Sequence, residues 1–161
     1  MRYQMKQHWL SFGDTFTIRD EAGHDAFSVQ GRVFSWGDKL SLRDMAGNEL
    51  AFIDQQMLSW GATYHIHRGG QHFATVKKHL FSLFKTRFSV DVPGPDDLEA
   101  EGDFLDHEYS FSRGNRQVAR VSKAWFSLTD SYGIEVAPGE DDVLILASAV
   151  VIDMALHQSK S

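Results

Sequence analysis

The sequence of 161 residues contains no cysteine, and this absence excludes disulfide bonds, thiolate zinc sites and a cysteine nucleophile. It also lacks a G-x-S-x-G elbow, a Walker or G-x-G-x-x-G phosphate loop, and an H-E-x-x-H metal motif. Residues 1–14 have no sustained apolar segment of the kind found in signal peptides. These absences predict a cytoplasmic protein that is not an enzyme and has no cofactor.

Composition and length predict one globular domain that spans residues 1–161. Hydrophobic residues make up 42% of the chain and charged residues 24%, which is typical of a folded protein rather than a disordered one. A chain of this length can bury a substantial core. The formal net charge of −6 argues against a nucleic-acid partner, because an acidic surface repels phosphate groups.

A long apolar run appears near the end of the sequence, where Val143–Leu156 is interrupted by Ser148 and Asp153 alone. A membrane span needs about 20 apolar residues, so this run predicts no transmembrane segment. On a helix the two polar positions lie roughly 140° apart, so they cannot form one polar face. The run therefore predicts a helix that is buried on all sides, with Asp141 and Asp142 at its N-terminus.

Asp153 is predicted to be a buried polar residue with a structural role. An ionised carboxylate in a protein core costs several kcal/mol unless it is paired or hydrogen-bonded. We therefore expect a buried partner such as a lysine, an arginine, a tyrosine or a backbone N–H group. Catalysis is the less favoured alternative, because a carboxylate sealed inside a filled core has no route to a substrate.

Alternating apolar residues around glycine-bearing turns predict β-hairpins through most of the chain. The first is FTIRDEAGHDAFSV, and LSLRDMAGNELAFI repeats it after a shift of 24 residues, which places Leu42 on Ile18. YHIHRGGQHFATV is a weaker third copy, and HEYSFSRGNRQVARVS predicts a further hairpin before the short strand SYGIEV. Successive short hairpins indicate a sandwich or a barrel, and a closed sheet would enclose the apolar helix.

Four segments together resemble the LURP-one-related family, whose fold is that of the tubby C-terminal domain and the phospholipid scramblases. They are FTIRDEAG, LSLRDMAGNELAFIDQQML, EGDFLDHEYSFSRGNRQVARVSK and DSYGIEVAPGEDDVLILASAVVIDMAL, and the resemblance covers nearly the whole chain. It implies a mainly β (α+β) fold, a closed antiparallel barrel of about twelve strands around a central, buried C-terminal hydrophobic helix. This tubby C-terminal-like architecture agrees with the burial expected of the helix.

Positive and negative charges are segregated into two stretches of the chain. From Gln55 to Val90 there is no acid, whereas Phe88–Ser112 contains eight acids and neither lysine nor arginine. Aromatic residues lie among the cations, a combination that suits an anionic membrane surface, where each basic residue contributes about 1 kcal/mol. Tubby-like domains bind phosphoinositide headgroups through basic residues, so the resemblance implies the same ligand class for a peripheral membrane protein. The predicted headgroup contacts are Arg68, Lys77, Lys78, Lys85 and Arg87.

Two interpretations without a lipid ligand stay open. In the first, the basic and acidic blocks pair with each other on the surface and have no ligand. In the second, the protein is a protein-interaction or scaffold domain in which Trp36, Trp60 or sheet edges recruit a protein partner.

Calcium-dependent, scramblase-like activity is a third and less favoured function. The scramblases bind calcium in the segment before their last helix. Asp130, Glu140 and Asp142 match acidic positions of that segment. Leu128, however, replaces an expected aspartate, which weakens the transfer of calcium binding to this chain.

Two patterns with metal-ligand spacing are not predicted to be metal sites. His65 and His67 would point to the same side of a strand, and His72 could approach them across the turn, as zinc or nickel ligands do. No cysteine or fixed carboxylate completes that set, so we expect surface histidines. The segment Asp97–Glu108 has the acid spacing of a calcium loop, but its glutamates are longer than the usual ligands, and an acidic surface loop is predicted instead.

Overall fold

The computed structural model describes residues 1–6, 15–34, 37–58, 61–82, 85–126 and 130–158 of the chain. Within these ranges the chain forms twelve β-strands followed by one α-helix. The strands are β1 (Arg2–Lys6), β2 (Thr15–Asp20), β3 (Asp25–Phe34), β4 (Gly37–Asp44), β5 (Glu49–Leu58), β6 (Gly61–Arg68), β7 (Gln71–Ser82), β8 (Lys85–Asp91), β9 (Leu98–Asp103), β10 (Glu108–Arg113), β11 (Arg116–Ser122) and β12 (Ser131–Val136). The helix is α1 (Asp142–Gln158).

The strands form a closed antiparallel barrel in which each strand pairs with its neighbours in sequence. The ring closes where β1 pairs with β12, with Met5 opposite Tyr132. Most inward positions are apolar, and Ile18, Leu42 and Ile66, which occupy equivalent places in the three repeated segments, are each at most 1% exposed. The prediction of a closed barrel of about twelve strands is confirmed. The sequence repeat is explained because each copy supplies one hairpin.

The two clearest copies also share a turn that is held by an aspartate side chain. Asp20 Oδ1 accepts hydrogen bonds from the backbone N–H groups two and four residues further on, both at 2.9 Å. Asp44 Oδ1 accepts the equivalent bonds at 3.0 and 2.9 Å. Gly23 and Gly47 follow with φ of +85° and +91°, a backbone conformation that other residues rarely adopt. The R-D-x-A-G sequence therefore specifies the turn as well as the strand before it.

The helix runs through the barrel and is buried on every face. Ile145, Leu146 and Ala147 are consecutive residues that point in different directions, and each is at most 1% exposed. The carboxylate of Asp141 accepts a hydrogen bond of 3.2 Å from the backbone N–H of Leu144, so Asp141 caps the N-terminus. The predicted burial on all sides is confirmed. In the described part of the chain, no helix has both the length and the hydrophobicity to span a bilayer.

The barrel has two ends, which we name by the helix. The helix-start end contains the turn between β6 and β7, because Arg68 pairs there with Asp141. The helix-finish end contains the turn between β9 and β10, because His107 lies there against Asp153. Since neighbouring strands are antiparallel, β7 ends and β8 begins at the helix-finish end.

The expectation of an acidic surface loop over Asp97–Glu108 is wrong for much of that segment. Residues 98–103 form strand β9, in which Leu98 and Ala100 point inward and are at most 1% exposed. The intervening Glu99 is exposed on the outer wall. Apolar residues that alternate with acidic residues indicate a strand. The same acids also have the spacing of a calcium loop, and the sequence interpretation followed that spacing instead.

Candidate functional site

Four of the five predicted headgroup cations lie in one half of the β7–β8 hairpin, next to the helix-finish end. In register, Lys77 lies opposite Ser89, Lys78 opposite Phe88, and Lys85 opposite Ser82. Arg87 lies opposite His79 between these pairs. We call this region, residues 77–82 and 85–87, the basic hairpin end. Its backbone gathers cations that are up to ten positions apart in sequence, from Lys77 to Arg87. Lys77 and Lys78 are consecutive on β7, so their side chains leave opposite faces of the sheet, and Lys78 is on the same face as Phe88.

Arg68 is not part of the basic hairpin end. It lies opposite Gln71 at the far end of β7, roughly 20 Å along the strand from Lys77. Its guanidinium pairs with the carboxylate of Asp141 and lies 5.0 Å from the ring centre of Phe73. Arg68 therefore joins the barrel wall to the beginning of the helix.

Arg87 pairs with the acidic block on the neighbouring strand. Its guanidinium lies 3.3 Å from the carboxylate of Glu99 and 3.7 Å from that of Glu101. The pairing of the basic and acidic blocks that the sequence left open as an alternative is thus present at this residue. All three side chains keep solvent contact, with exposures of 31%, 52% and 56%, so the pairs are surface ion pairs.

The lysines of the basic hairpin end differ in exposure. Lys77 is exposed on the outer wall. Lys78 is half-buried, and its register partner Phe88 is a core residue that is 1% exposed. The side chain of Lys85 lies outside the described residues, as do those of residues 80–82. Lys77 is therefore the described lysine that is best placed to meet a surface.

The three predicted surface histidines converge on the outer wall of β6 and β7. Their ring centres are separated by 6.4 Å (His65 to His67), 5.2 Å (His65 to His72) and 5.8 Å (His67 to His72). His65 Nε2 lies 3.0 Å from Gln56 Oε1, and the hydroxyl oxygen of Thr75 lies 3.3 Å from His65 Nδ1 and 2.8 Å from His72 Nε2. With the rings in these orientations, no group of three or more histidine, aspartate or glutamate side chains among the described residues is arranged to hold a metal ion.

Burial lowers the pKa of His65, and the nearby His72 and His67 lower it further by charge repulsion. Asp54 on β5 lies opposite His65 in register and acts in the other direction. Sequence reasoning missed this carboxylate, because it is eleven positions away from His65 in the chain and only the strand pairing brings it close.

Asp153 lies at the helix-finish end with its side chain 10% exposed, in contact with two residues of the barrel wall. The hydroxyl of Tyr132 donates a hydrogen bond to Asp153 Oδ2. His107 Nε2 lies 3.3 Å from Asp153 Oδ1, and the His107 ring stacks on Tyr132 at 4.1 Å. A tyrosine was among the predicted partners of Asp153, whereas the histidine was not. His107 lies in the turn between β9 and β10, where its φ is +53°. A residue other than glycine rarely adopts this conformation, so the sequence did not predict it.

The acids that match the scramblase calcium segment are not brought together. Asp130 lies at the beginning of β12, where its carboxylate is 3.6 Å from the amine of Lys6. Glu140 lies beyond the other end of that strand and binds Arg113 and Arg116 at 3.0 and 2.9 Å. Each carboxylate already faces a cation, and a strand of six residues separates the two.

The third of these acids, Asp142, accepts a hydrogen bond from the hydroxyl of Tyr3 at the helix-start end. Leu128 lies outside the described residues, as do Trp36 and Trp60, which were considered as protein contacts.

Together, these features define a class of protein: a closed twelve-stranded β-barrel that encloses a hydrophobic C-terminal helix and carries cations on one outer hairpin. The chain belongs to the LURP-one-related family, whose sequence model matches residues 1–153. It is 36% identical over 156 residues to the uncharacterized protein YxjI of Bacillus subtilis (strain 168), a match that covers 97% of this chain and 94% of that protein.

The fold is also similar to the X-ray structure of a protein from Arabidopsis thaliana, with a TM-score of 0.67. The two sequences are 20% identical, and the match covers 97% of this chain and 91% of that one. At this level of identity the likeness establishes the shared architecture alone.

Proposed function

We propose that this LURP-one-related protein is a non-enzymatic binding module that docks on anionic phospholipid headgroups through the basic hairpin end. On this proposal it is a cytoplasmic protein that binds the membrane peripherally. The observation that supports the proposal most directly is the placement of Lys77 and Arg87 on the outer wall in the same half of one hairpin, with Lys78 and Lys85 at neighbouring backbone positions. Arg68 is not part of the proposed contact.

The charges of this region are compatible with such a contact. Each basic residue near an anionic bilayer contributes about 1 kcal/mol. The pairs of Arg87 with Glu99 and Glu101 lie at the surface, where an ion pair is worth roughly 0 to 1 kcal/mol. A phosphate group can therefore replace a carboxylate on Arg87 at little cost.

The position of the cations along the hairpin gives a second argument. They stand on both sides of the place where β7 ends and β8 begins, at the helix-finish end of the barrel. Positive charges on two neighbouring strands at one end of the barrel can face the same anionic surface.

Vesicle co-sedimentation tests this proposal through Lys77. The wild-type protein should bind vesicles that contain anionic lipid and should not bind neutral ones, and binding should weaken as salt is raised. Lys77→Glu changes the local charge by two units, so its affinity for anionic vesicles should fall about tenfold or more.

Arg120→Glu is the matched control, because Arg120 is exposed on β11, four strands away from β7 in the barrel. Equal loss of binding in both variants would indicate a response to net charge and would contradict a docking site at the basic hairpin end. Equal binding of neutral and anionic vesicles by the wild type, or binding to neither, would reject the proposal.

A further inference from the structure

We propose that a cleft on the outer wall of β9, β10 and β11 binds a small zwitterion, a molecule that carries both an ammonium group and a carboxylate. The cleft has a volume of about 190 Å³ and is lined by Glu101, Glu108, Tyr109, Ser110, Gln117 and Arg120. Pockets for drug-sized molecules measure about 300–1,000 Å³, so this cleft suits a smaller ligand. The inference goes beyond the proposed lipid contact and does not depend on it.

Strand register places opposite charges on the two sides of this cleft. Ser110 lies on β10 between Glu101 on β9 and Arg120 on β11, and it is the register partner of both. Neighbouring strands are about 4.8 Å apart, so the backbones of the acid and the cation stand roughly 10 Å apart with Ser110 midway. A ligand that lies over Ser110 can therefore meet a carboxylate on one side and a guanidinium on the other.

Arg120 is the unpaired charge in a longer row of outward side chains. In this row Arg2 pairs with Glu135 at 2.6 Å, and Arg87 pairs with Glu101 at 3.7 Å. Arg120 is exposed and forms no ion pair with any of the described residues. Its guanidinium is therefore available to an anionic group. The row crosses six strands in register, and its members are Arg87, Glu101, Ser110, Arg120, Glu135 and Arg2.

The acidic side of the cleft has carboxylate oxygens that a ligand can reach. Glu108 Oε1 accepts hydrogen bonds from the hydroxyl of Ser122 at 2.9 Å and from the backbone N–H that follows it at 3.0 Å. These bonds fix the carboxylate in advance of binding and leave Oε2 for a ligand. Arg87 lies 3.3 Å from Glu99 and 3.7 Å from Glu101, so Glu101 is the less closely held of its two partners.

The mixture of charges selects the class of ligand. Two carboxylates repel a simple anion, and the guanidinium of Arg120 repels a simple cation. A zwitterion can place its ammonium group against Glu101 and Glu108 and its carboxylate against Arg120, so that both of its ends form charge-assisted hydrogen bonds. The hydroxyl of Ser110 and the amide of Gln117 supply neutral donors and acceptors between these two ends.

NMR titration of the backbone amide signals with γ-aminobutyrate as the probe tests the site. Butyrate, which lacks the ammonium group, and butylamine, which lacks the carboxylate, are the matched ligands. The wild type should bind γ-aminobutyrate at one site, with the largest signal shifts in β10 and β11. Each matched ligand should bind about tenfold more weakly or less, because it loses the charge-assisted hydrogen bonds of one end.

Arg120→Glu and Lys77→Glu make the same change of charge at different places on the barrel. Arg120→Glu should weaken binding of γ-aminobutyrate about tenfold or more and keep vesicle binding, whereas Lys77→Glu should do the reverse. Ser110→Val fills the middle of the cleft without a change of charge, so it should also weaken binding of the probe. Valine is well suited to a strand, and the amide spectrum of this variant checks that the fold is kept.

The inference is overturned if the wild type does not bind γ-aminobutyrate, or if butyrate or butylamine binds as tightly. It is also overturned if Arg120→Glu binds the probe like the wild type, or if Lys77→Glu weakens binding to the same extent as Arg120→Glu. The probe is titrated without vesicles, so this proposal and the lipid proposal fail separately.

Discussion

The strongest electrostatic effects at single residues are on two buried tyrosines beside Asp153. Burial raises the pKa of Tyr132 well above its ordinary value, and the carboxylate of Asp153 raises it further. Tyr109, which is 4% exposed, has its pKa raised by the same two causes in the same order. Both phenols therefore keep their protons in the folded protein under conditions in which an unfolded chain begins to lose them.

This difference predicts a loss of stability in alkaline solution. The unfolded state releases a tyrosine proton from about pH 10, whereas the folded state retains it, so the unfolded state binds fewer protons and gains in relative stability as the pH rises. The stabilisation of the folded state by these protonated tyrosines is complete below pH 10. Above pH 10 the free energy of unfolding should fall by up to about 1.4 kcal/mol per pH unit for each such tyrosine. Denaturant unfolding between pH 9 and 11 measures this slope.

Tyr132→Phe is the comparison, and its slope above pH 10 should be smaller than that of the wild type by the share of one group. Absorbance at the phenolate band gives an independent check. If all tyrosines of the folded protein ionised together near pH 10, the assignment of raised pKa values would be contradicted.

At the scale of elements, strand β9 depends on one glycine. Gly102 has a φ of +140°, and a Cβ atom there would lie 2.6 Å from the backbone oxygen of Glu108 and 2.7 Å from the Cα of Tyr109. Both contacts are with the backbone of β10, which cannot move aside as a side chain can. Close approach between β9 and β10 therefore requires glycine at this position.

Gly102→Ala should lower the free energy of unfolding by about 2 to 4 kcal/mol, because it adds steric overlap to an unfavourable backbone conformation. Gly114→Ala is the control, since Gly114 also has a positive φ of +60° but a Cβ atom there would meet no atom within 4 Å. That change should cost about 1 kcal/mol. Denaturant unfolding of the two variants measures both losses in the free energy of unfolding. Equal losses would show that β9 and β10 do not approach each other closely at Gly102.

Elements were the scale at which sequence reasoning succeeded best. The period-two pattern and the R-D-x-A-G turns are local signals, so the hairpins of β2–β3 and β4–β5 could be predicted, as could the buried helix. Contacts between strands could be anticipated only in outline, as for His72 across its turn and for the pairing of the basic and acidic blocks, because the individual partners depend on register. The pairing of Arg87 with Glu99, the approach of Asp54 to His65 and the meeting of His107 with Asp153 all cross from one element to another.

The same limit applied to the candidate site. Clustering of cations in the sequence identified five residues, but sequence proximity does not distinguish the two ends of a strand. Arg68 and Lys77 belong to the same acid-free stretch, yet Arg68 reaches the helix-start end and binds Asp141. Lys77 lies six residues along β7 from Gln71, the register partner of Arg68. Because a strand rises about 3.3 Å per residue, the two cations are roughly 20 Å apart along the hairpin.

At the scale of the whole molecule, the barrel and the helix share one core. The helix packs against β5, β6, β7 and β12, and its buried side chains belong to the same cluster as the inward residues of the strands. Removing the helix from the barrel would leave the inner wall of the sheet exposed to water. The helix would in turn expose apolar residues on every face, so neither part has a stable state without the other.

This mutual dependence predicts that Leu146→Ala destabilises the entire protein in a single transition. Leu146 is fully buried in the helix, and a leucine-to-alanine change at such a site costs about 2 to 5 kcal/mol. Far-ultraviolet circular dichroism and tryptophan fluorescence should report the same, lowered denaturant midpoint, because helix and barrel unfold together. Leu105→Ala makes the identical chemical change at a side chain that is 62% exposed, and it should shift the midpoint little. If the helical signal of Leu146→Ala were lost at lower denaturant than the fluorescence signal, the helix would be able to leave a barrel that persists without it, and the common core would not be what holds the fold together.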